Sequence, residues 1–394
     1  MDAIQIQNLD VVFGDKSAQA LALLDEGKTR QEIIDQTEQV VGVDNVTMSV
    51  KEGEICVLMG LSGSGKSSLL RAVNGLNGIS RGSLKIKDGD NQVELSSCNE
   101  ETLRHLRTHR VSMVFQKFAL MPWLTVLDNV AFGLEMQGIP KTQRRAKARE
   151  QLEMVELAEW ENKYPHELSG GMQQRVGLAR AFAMDTDILL MDEPFSALDP
   201  LIRAQLQDEL IQLQNKLNKT ILFVSHDLDE ALKIGNNIAI MESGKLIQHG
   251  KPEEIVLSPE NDYVKDFVSH TNPLNVLKGR SLMQPAHELT REGAKWRVGD
   301  TQPIWFEIKD DTLKLDSSDE LSLVDWRSGT TLLSEINHRS VVIASPDIGM
   351  RDAIEIKQFS SQPILLVEND ELIGVLNDSD FYAGLLGKHH RAAA

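Results

Sequence analysis

Ile55-Cys56-Val57-Leu58-Met59-Gly60-Leu61-Ser62-Gly63-Ser64-Gly65-Lys66-Ser67-Ser68 runs from an unbroken apolar segment through three glycines into a helical run that continues to Val73. Five apolar residues closed by a glycine predict a strand buried on both faces. A chain of anionic phosphates is held by backbone N–H groups that all face inward. Glycines allow that close approach, and the helix N-terminus that follows adds partial positive charge. Gly60 to Ser68 therefore reads as a phosphate loop, with Lys66 reaching the terminal phosphates and Ser67 offering its hydroxyl to magnesium. About one random chain in a hundred of this length and composition would carry the spacing by accident, and the flanking strand and helix make accident rarer.

Downstream, Ile188 to Met191 is a second apolar run, and it ends in Asp192 and Glu193. Ligands of open α/β sheets sit beyond the carboxyl ends of the strands. Asp192 is thus placed to hold the magnesium through water, and Glu193 to polarise an attacking water as general base. Further buried strands at Val111–Phe115, Ile221–Val224 and Ile238–Met241 alternate with helices at Thr142–Val155 and Pro200–Leu217. Such alternation predicts an α/β fold with a mostly parallel sheet. Upstream, residues 4–13 alternate like an edge strand, and residues 43–58 predict a second pair of strands around Glu52-Gly53. Between Asp15 and Gly42 the spacing turns helical: Leu21, Leu23 and Leu24 come first, then Thr29 and Glu32 form a capping box ahead of Ile33 and Ile34. This is a helical insertion between two strands.

Leu168-Ser169-Gly170-Gly171-Met172-Gln173 precedes the helical run Arg175–Ala183. Taken with Gln116, the turn Ser196-Ala197-Leu198-Asp199 and His226 at the end of a strand, this order of elements resembles the nucleotide-binding domain of ABC ATPases, a branch of the P-loop NTPases, over residues 1 to about 268. The resemblance implies a helical and signature region at about 100–185, with ATP and Mg2+ as cofactors. Phe13 matches the aromatic that stacks on adenine, and Gln116 the glutamine that touches magnesium and senses the membrane subunit. His226 matches the histidine that contacts the γ phosphate and acts beside Glu193. Ser169, Gly170, Gly171 and Gln173 match the signature that contacts ATP held by the opposite protomer, and Asp199 lies where the family couples the two sites. One phosphate loop and one signature per chain imply a homodimer with two equivalent sites.

Lys117–Asn129 and Phe195–Arg203 look like the segments by which importer ATPases grip a cytoplasmic helix of the permease. With the insertion and Asp227–Gly235, they are similar to the quaternary-amine uptake branch. Within that branch Gly53–Ser83 and His270–Leu277 most resemble the choline systems. The resemblance implies the ATPase of a bacterial choline importer or, as the alternative, of a glycine betaine, proline betaine or carnitine importer. It would lie peripherally on the cytoplasmic face of the inner membrane, serving two permease copies and, through them, a periplasmic or lipid-anchored solute-binding protein. The remote alternative, a soluble ABC ATPase acting on ribosomes or DNA, would usually carry two cassettes or coiled-coil arms and a basic surface.

Composition agrees. The net charge of −18 speaks against nucleic acid, whose phosphates are held by clustered Lys and Arg, and against anionic lipid. No run of eighteen apolar residues occurs, and Met1-Asp2-Ala3-Ile4 lacks a basic region followed by an apolar one, so direct membrane insertion is not expected. Cys56 and Cys98 read as reduced structural thiols. A length of 394 residues suits two domains. Residues 301–380 hold sixteen Asp and Glu against six Lys and Arg, which marks a separate acidic region. The expected division is an ATPase domain at 1–268 with its insertion at 15–42, a linker at 269–280, and a small α+β domain at 281–394. Residues 341–386 run strand, helix, strand, strand, helix and resemble one CBS module, a regulatory unit, which here implies either a sensor of adenine nucleotide or ionic strength or a degenerate, purely structural domain. Asp380 stands where that family's ribose-binding aspartate would be, and Asn377 replaces the usual Ser or Thr. Residues 278–340 carry only a faint trace of a first module.

Overall fold

The structure, a computed structural model, describes residues 2–385 apart from 117, 197, 270, 272–275, 294, 299–303, 310–311, 317–320 and 328–332. The chain divides into two compact units, Met1–Pro252 and Glu253–Ala394.

In the first unit, β1 (Asp2–Phe13), β2 (Val40–Lys51), β4 (Arg81–Asp88) and β5 (Asn91–Glu94) form an antiparallel sheet in the order β2-β1-β4-β5. The expected edge strand is therefore interior, because β4 pairs along the side of β1 that β2 leaves open. Nor do the two strands around Glu52-Gly53 pair with each other. β2 is buried on one face along much of its length and stays in the antiparallel sheet, whereas β3 (Ile55–Met59) is buried at every position. A strand buried on both faces suits a parallel sheet covered on both sides. β3 joins β6 (Val111–Val114), β7 (Ile188–Asp192), β8 (Thr220–Val224), β9 (Asn237–Glu242) and β10 (Lys245–Gly250) in the order β10-β9-β3-β8-β7-β6, parallel except for β10.

Helix α3 (Lys66–Val73) shares one core with both sheets: its Leu69, Leu70 and Val73 cluster with Ile4 and Leu84 of one and Leu58, Leu190 and Leu222 of the other. Parallel pairing then brings the carboxyl ends of β3, β6, β7 and β8 to one edge, and the four following loops begin there. Around this frame run α4 (Glu100–His109), α8 (Pro200–Leu217) and α9 (Leu228–Ile234). Helices α5 (Val126–Met136), α6 (Lys141–Met154) and α7 (Gly170–Ala183) build a separate core on Val130, Leu134, Leu152, Val176 and Ala179. The insertion is α1 (Ser17–Asp25) and α2 (Arg30–Thr37), which bury Ala20 and Ile33 against Val12 and Val41. Both arms of the Thr29–Glu32 capping box are formed.

The second unit starts earlier than expected. It takes in nearly all of α10 (Pro252–Leu257) and the whole of α11 (Asp262–Val268), and the latter half of the anticipated linker is core rather than tether. Leu277 is buried with Leu282, Val342 and Leu366, and α12 (Gly279–Leu282) begins two residues later. His270 and residues 272–275 lie outside the described residues. The strand-helix-strand-strand-helix pattern is present as β17 (Ser340–Ala344), α13 (Met350–Phe359), β18 (Ile364–Glu368), β19 (Glu371–Leu376) and α14 (Asp378–Leu385), with Leu386 outside the described residues. These strands join β11 (Gln284–Pro285) and β16 (Ser322–Asp325) in the order β11-β19-β18-β17-β16. Where a first module was faintly traced, β12 (Arg291–Glu292), β13 (Lys295–Arg297), β14 (Trp305–Lys309) and β15 (Thr312–Asp316) form an antiparallel meander instead. Its Phe306 is buried with Ile343 and Leu365, so the meander covers the other face of the module's sheet.

Candidate functional site

The phosphate loop leaves β3 through backbone that side chains resist. Gly60 (φ +139) and Gly65 (φ +104) lie in the left-handed half of the map, and a Cβ would meet Met241 O at 2.1 Å and Gly42 O at 2.4 Å respectively. Glycine is required there by both torsion and space. Gly65 caps α3 with no side-chain acceptor, which leaves the first-turn amides of that helix to an anion. Lys66 is buried and donates from Nζ to Gly60 O at 2.8 Å and Leu61 O at 3.0 Å. Desolvation lowers its pKa, against the opposing pull of the Glu193 and Asp192 carboxylates. Gly42 brings the half-exposed ring of Phe13 to the start of α3: a Cβ there would lie 2.6 Å from Phe13 Cε2 and 3.1 Å from Ser68 Oγ.

Asp192, the last residue of β7, is fully buried. Its Oδ1 accepts from Ser67 Oγ at 2.8 Å, and its Oδ2 pairs with Arg71 Nη2 at 3.0 Å. Two of the three residues expected to hold magnesium, Ser67 and Asp192, thus meet directly, while the third, Gln116, bonds to Glu193; a hydroxyl beside a carboxylate is the hard-oxygen donor set that Mg2+ takes. Arg71 escaped the reading of the sequence, although it lies four residues beyond Ser67 and so on the same face of α3. The next residue, Glu193, adopts φ +48 and donates its N–H to Val224 O at 3.2 Å. A left-handed non-glycine residue costs on the order of 1–3 kcal/mol and persists only where its surroundings hold it. Here Glu193 Oε2 accepts from Gln116 Nε2 at 2.9 Å and lies 3.4 Å from His226 Nδ1, so residues following three different strands converge on one carboxylate oxygen.

Past Gln116 the chain is again strained at Phe118 (φ +53) and Ala119 (φ +49). The buried Arg180 of α7 holds it by donating from Nη1 to Ala119 O at 2.7 Å and from Nη2 to Phe118 O at 3.0 Å, and burial lowers the pKa of that guanidinium. The fully buried Asn129 completes the turn on Met121 and Leu124. Neither residue stood out in the sequence; the available signal was a cation within the small apolar run Val176–Ala183.

The signature segment behaves differently. α7 begins at Gly170, five residues before the expected Arg175. Ser169 is its N-cap, Oγ accepting from Met172 N at 3.3 Å, and Gln173 Nε2 donates back to Pro165 O and Leu168 O. Asp199 likewise caps α8, Oδ1 accepting from Ile202 N at 3.0 Å. Behind it, Arg203 ties Leu198 O to Asp227, and Ser225 donates to the buried Glu230, whose pKa is raised by desolvation. Lys117 and Ala197 lie outside the described residues. The chain therefore gathers Gly60–Ser68, Gln116, Asp192, Glu193 and His226 at one edge, while Ser169, Gln173 and Asp199 spend their hydrogen bonds locally.

Among known families, the ABC transporter model matches residues 43–196, from within β2 to the turn after Glu193. The chain belongs to the ATP-binding proteins of ABC transporters. It is 48% identical over 283 residues, 72% of its length, to the glycine betaine transport ATP-binding protein OpuAA of Bacillus subtilis, and the match spans 67% of that protein. It is 40% identical to the glycine betaine/carnitine transport ATP-binding protein GbuA of Listeria monocytogenes, with 98% of both chains covered. The dimeric post-hydrolysis structure of the ATP-binding cassette MJ0796 bound to ADP and Pi superposes with a TM-score of 0.55 at 30% identity, covering 63% of this chain and 98% of that one.

Proposed function

We propose that this chain hydrolyses Mg-ATP at a site shared by two copies of itself and thereby drives a separate permease that imports a quaternary amine of the choline and glycine betaine class. The observation that carries the reading is the convergence of Gln116 and His226 on Glu193 Oε2, one residue beyond the Ser67–Asp192 pair. In this reading Gly60–Ser68 cradles the phosphates and Lys66 exchanges its two loop carbonyls for phosphate oxygens. Ser67, Asp192 and Gln116 would hold Mg2+, which when bound neutralises the charge of the phosphates. Glu193 accepts the proton of the attacking water, and Gln116 and His226 keep its carboxylate aimed. Phe13 offers its ring to adenine.

Local bonding of Ser169–Gln173 at the start of a 14-residue helix supports presentation of this segment to ATP on a partner copy, and the dimeric form of the MJ0796 cassette supports the same arrangement. A groove of about 320 Å3 beside the Gln116 turn, walled by Met113, Phe115, Met121, Phe132 and Met136, supports docking of an apolar permease helix. Adaptable methionines suit such a surface. Among the described residues no helix is long and apolar enough to cross a membrane; the transport ATP-binding proteins that this chain resembles support a peripheral subunit on the cytoplasmic face. A solute-binding protein would deliver the amine on the opposite side.

For the solute, the wording of Gly53–Ser83 favours choline, whereas the names of two relatives favour glycine betaine. Uptake of labelled choline and glycine betaine by the reconstituted transporter tests the proposal: ATP-dependent uptake of either supports it, and uptake of neither with intact ATPase activity overturns the substrate class. The acidic second unit is read as a regulator. Its Asp380 is buried and accepts from Asn377 N at 2.7 Å, a bond that turns it into its own helix start. Asp380→Ala should therefore leave the salt dependence of transport little changed. Superimposable transport against salt with and without the second unit would remove the regulatory role.

A further inference from the structure

The inserted helices α1 and α2 reach the phosphate loop through the side chain of Arg30. Arg30 donates from Nη1 to Gly63 O at 3.0 Å, and from Nη2 to Val41 O. It occupies the first turn of α2, directly after the Thr29 cap, where the helix dipole disfavours a cation. The guanidinium is also partly desolvated, which lowers its pKa, with Asp44 acting in the opposite sense. A cation held against both its helix and its solvation is kept in place by what it binds.

Its partner is the outward side of the loop. A loop that turns amides toward phosphate turns carbonyls away from it, and those carbonyls need donors from elsewhere. Gly244 N supplies one to Ser64 O at 2.9 Å, and Arg30 supplies a charged one to Gly63 O. Gly63 has φ +78, and a Cβ there would find no atom within 4 Å, so packing does not hold this part of the loop. A cation on a peptide oxygen also polarises the N–H of the same peptide, here that of Ser64, which donates to Leu61 O at 3.1 Å, so Arg30 stiffens the turn that shapes the loop.

We propose that Arg30 is a positioning residue for the phosphates of the bound nucleotide, and that α1 and α2 are thereby a working part of the nucleotide site. The inference rests on the phosphate-loop reading of Gly60–Ser68. It predicts an effect on affinity rather than on the chemical step, confined to ligands that carry phosphates.

The test uses the full chain, with ATP, ADP and adenosine affinities from displacement of a fluorescent nucleotide and with steady-state ATPase kinetics. Arg30→Met should weaken ATP and ADP about tenfold, the scale of one charge-assisted hydrogen bond. KM for ATP should rise by a similar factor, with kcat within about twofold and adenosine unaffected. Arg30→Lys should recover most of the loss, since an ammonium can still donate to Gly63 O. Asp25→Asn, which breaks the exposed tie of α1 to Arg81, should behave as wild type. The proposal is overturned if Arg30→Met keeps wild-type ATP affinity, if adenosine weakens as much as ATP, or if Asp25→Asn reproduces the loss. Lys66→Ala separates the underlying reading: unchanged ATP affinity there would sink the phosphate loop itself, whereas loss there without loss in Arg30→Met sinks only this inference.

Discussion

Two segments of this chain are built alike and bonded differently. Both the phosphate loop and Leu168–Gly171 are glycine-bearing turns that open a helix, α3 and α7. The first is gripped from many sides: Arg30 from the insertion, Gly244 from the β9–β10 turn, Asp192 from β7 and its own Lys66. The second is held by its own cap and by Gln173 folded back on the preceding turn. A helix N-terminus is a ready anion site in either case. Among the described residues the signature has no such company, and this difference supports our proposal that the phosphate loop is one half of a shared site and the signature the half lent to a second copy.

The largest expected effect leaves both halves standing and removes only the base. Glu193→Gln should keep ATP affinity while hydrolysis falls at least about a hundredfold, the scale of a positioned general base, and nucleotide-bound dimers should accumulate on size-exclusion chromatography. Wild-type turnover would take Glu193 out of that role. The asymmetry itself is probed by Lys66→Ala and Ser169→Arg. The former should abolish ATP binding, and the latter should spare binding while lowering turnover more than about tenfold, because a cation in place of the cap obstructs the shared face. Ser169→Cys linked to a reactive ATP analogue should then join two chains; exclusively intrachain products would refute the shared site.

Smaller effects fall on the local bonds. Asp199→Ala should cost about 1 kcal/mol of stability through loss of the α8 cap, read by thermal melting. No loss of stability would mean that the Ile202 contact carries nothing. Glu230 sets the smallest change. Burial raises its pKa from the ordinary 4.5, so the folded chain binds this proton more tightly than the unfolded one, and stability falls as pH rises from that value through the folded pKa. Glu230→Gln removes the titration, so its melting temperature relative to wild type should climb as pH rises above 4.5. A constant difference would show that the Glu230 proton is bound no more tightly in the folded chain than in the unfolded one.

Much of this was legible along the chain. Strand, loop and helix at Ile55–Val73, the paired acids after Met191, the Thr29–Glu32 capping box and the strand-helix pattern of 341–386 are local patterns of periodicity and capping, and such patterns depend on residues a few places apart. What escaped depends on partners far away in sequence. The interior place of β1 follows from pairing with β4, and the membership of Leu277 in the second core follows from Val342 and Leu366. Arg180 on the Phe118 carbonyl, Arg71 on Asp192 and Arg30 on Gly63 are contacts across 62, 121 and 33 positions.

The sequence by itself determined which residues could do the chemistry: Lys66, Ser67, Asp192 and Glu193 are marked by spacing, because a phosphate loop and a strand-terminal acid pair are each contained within a few residues, and His226 is marked by the resemblance to ABC ATPases. Only the tertiary structure decided which atoms meet. Gln116 and His226 share one oxygen of Glu193 because parallel pairing of β7 with β6 and β8 brings three loops to one edge, and no spacing along the chain states a distance between loops.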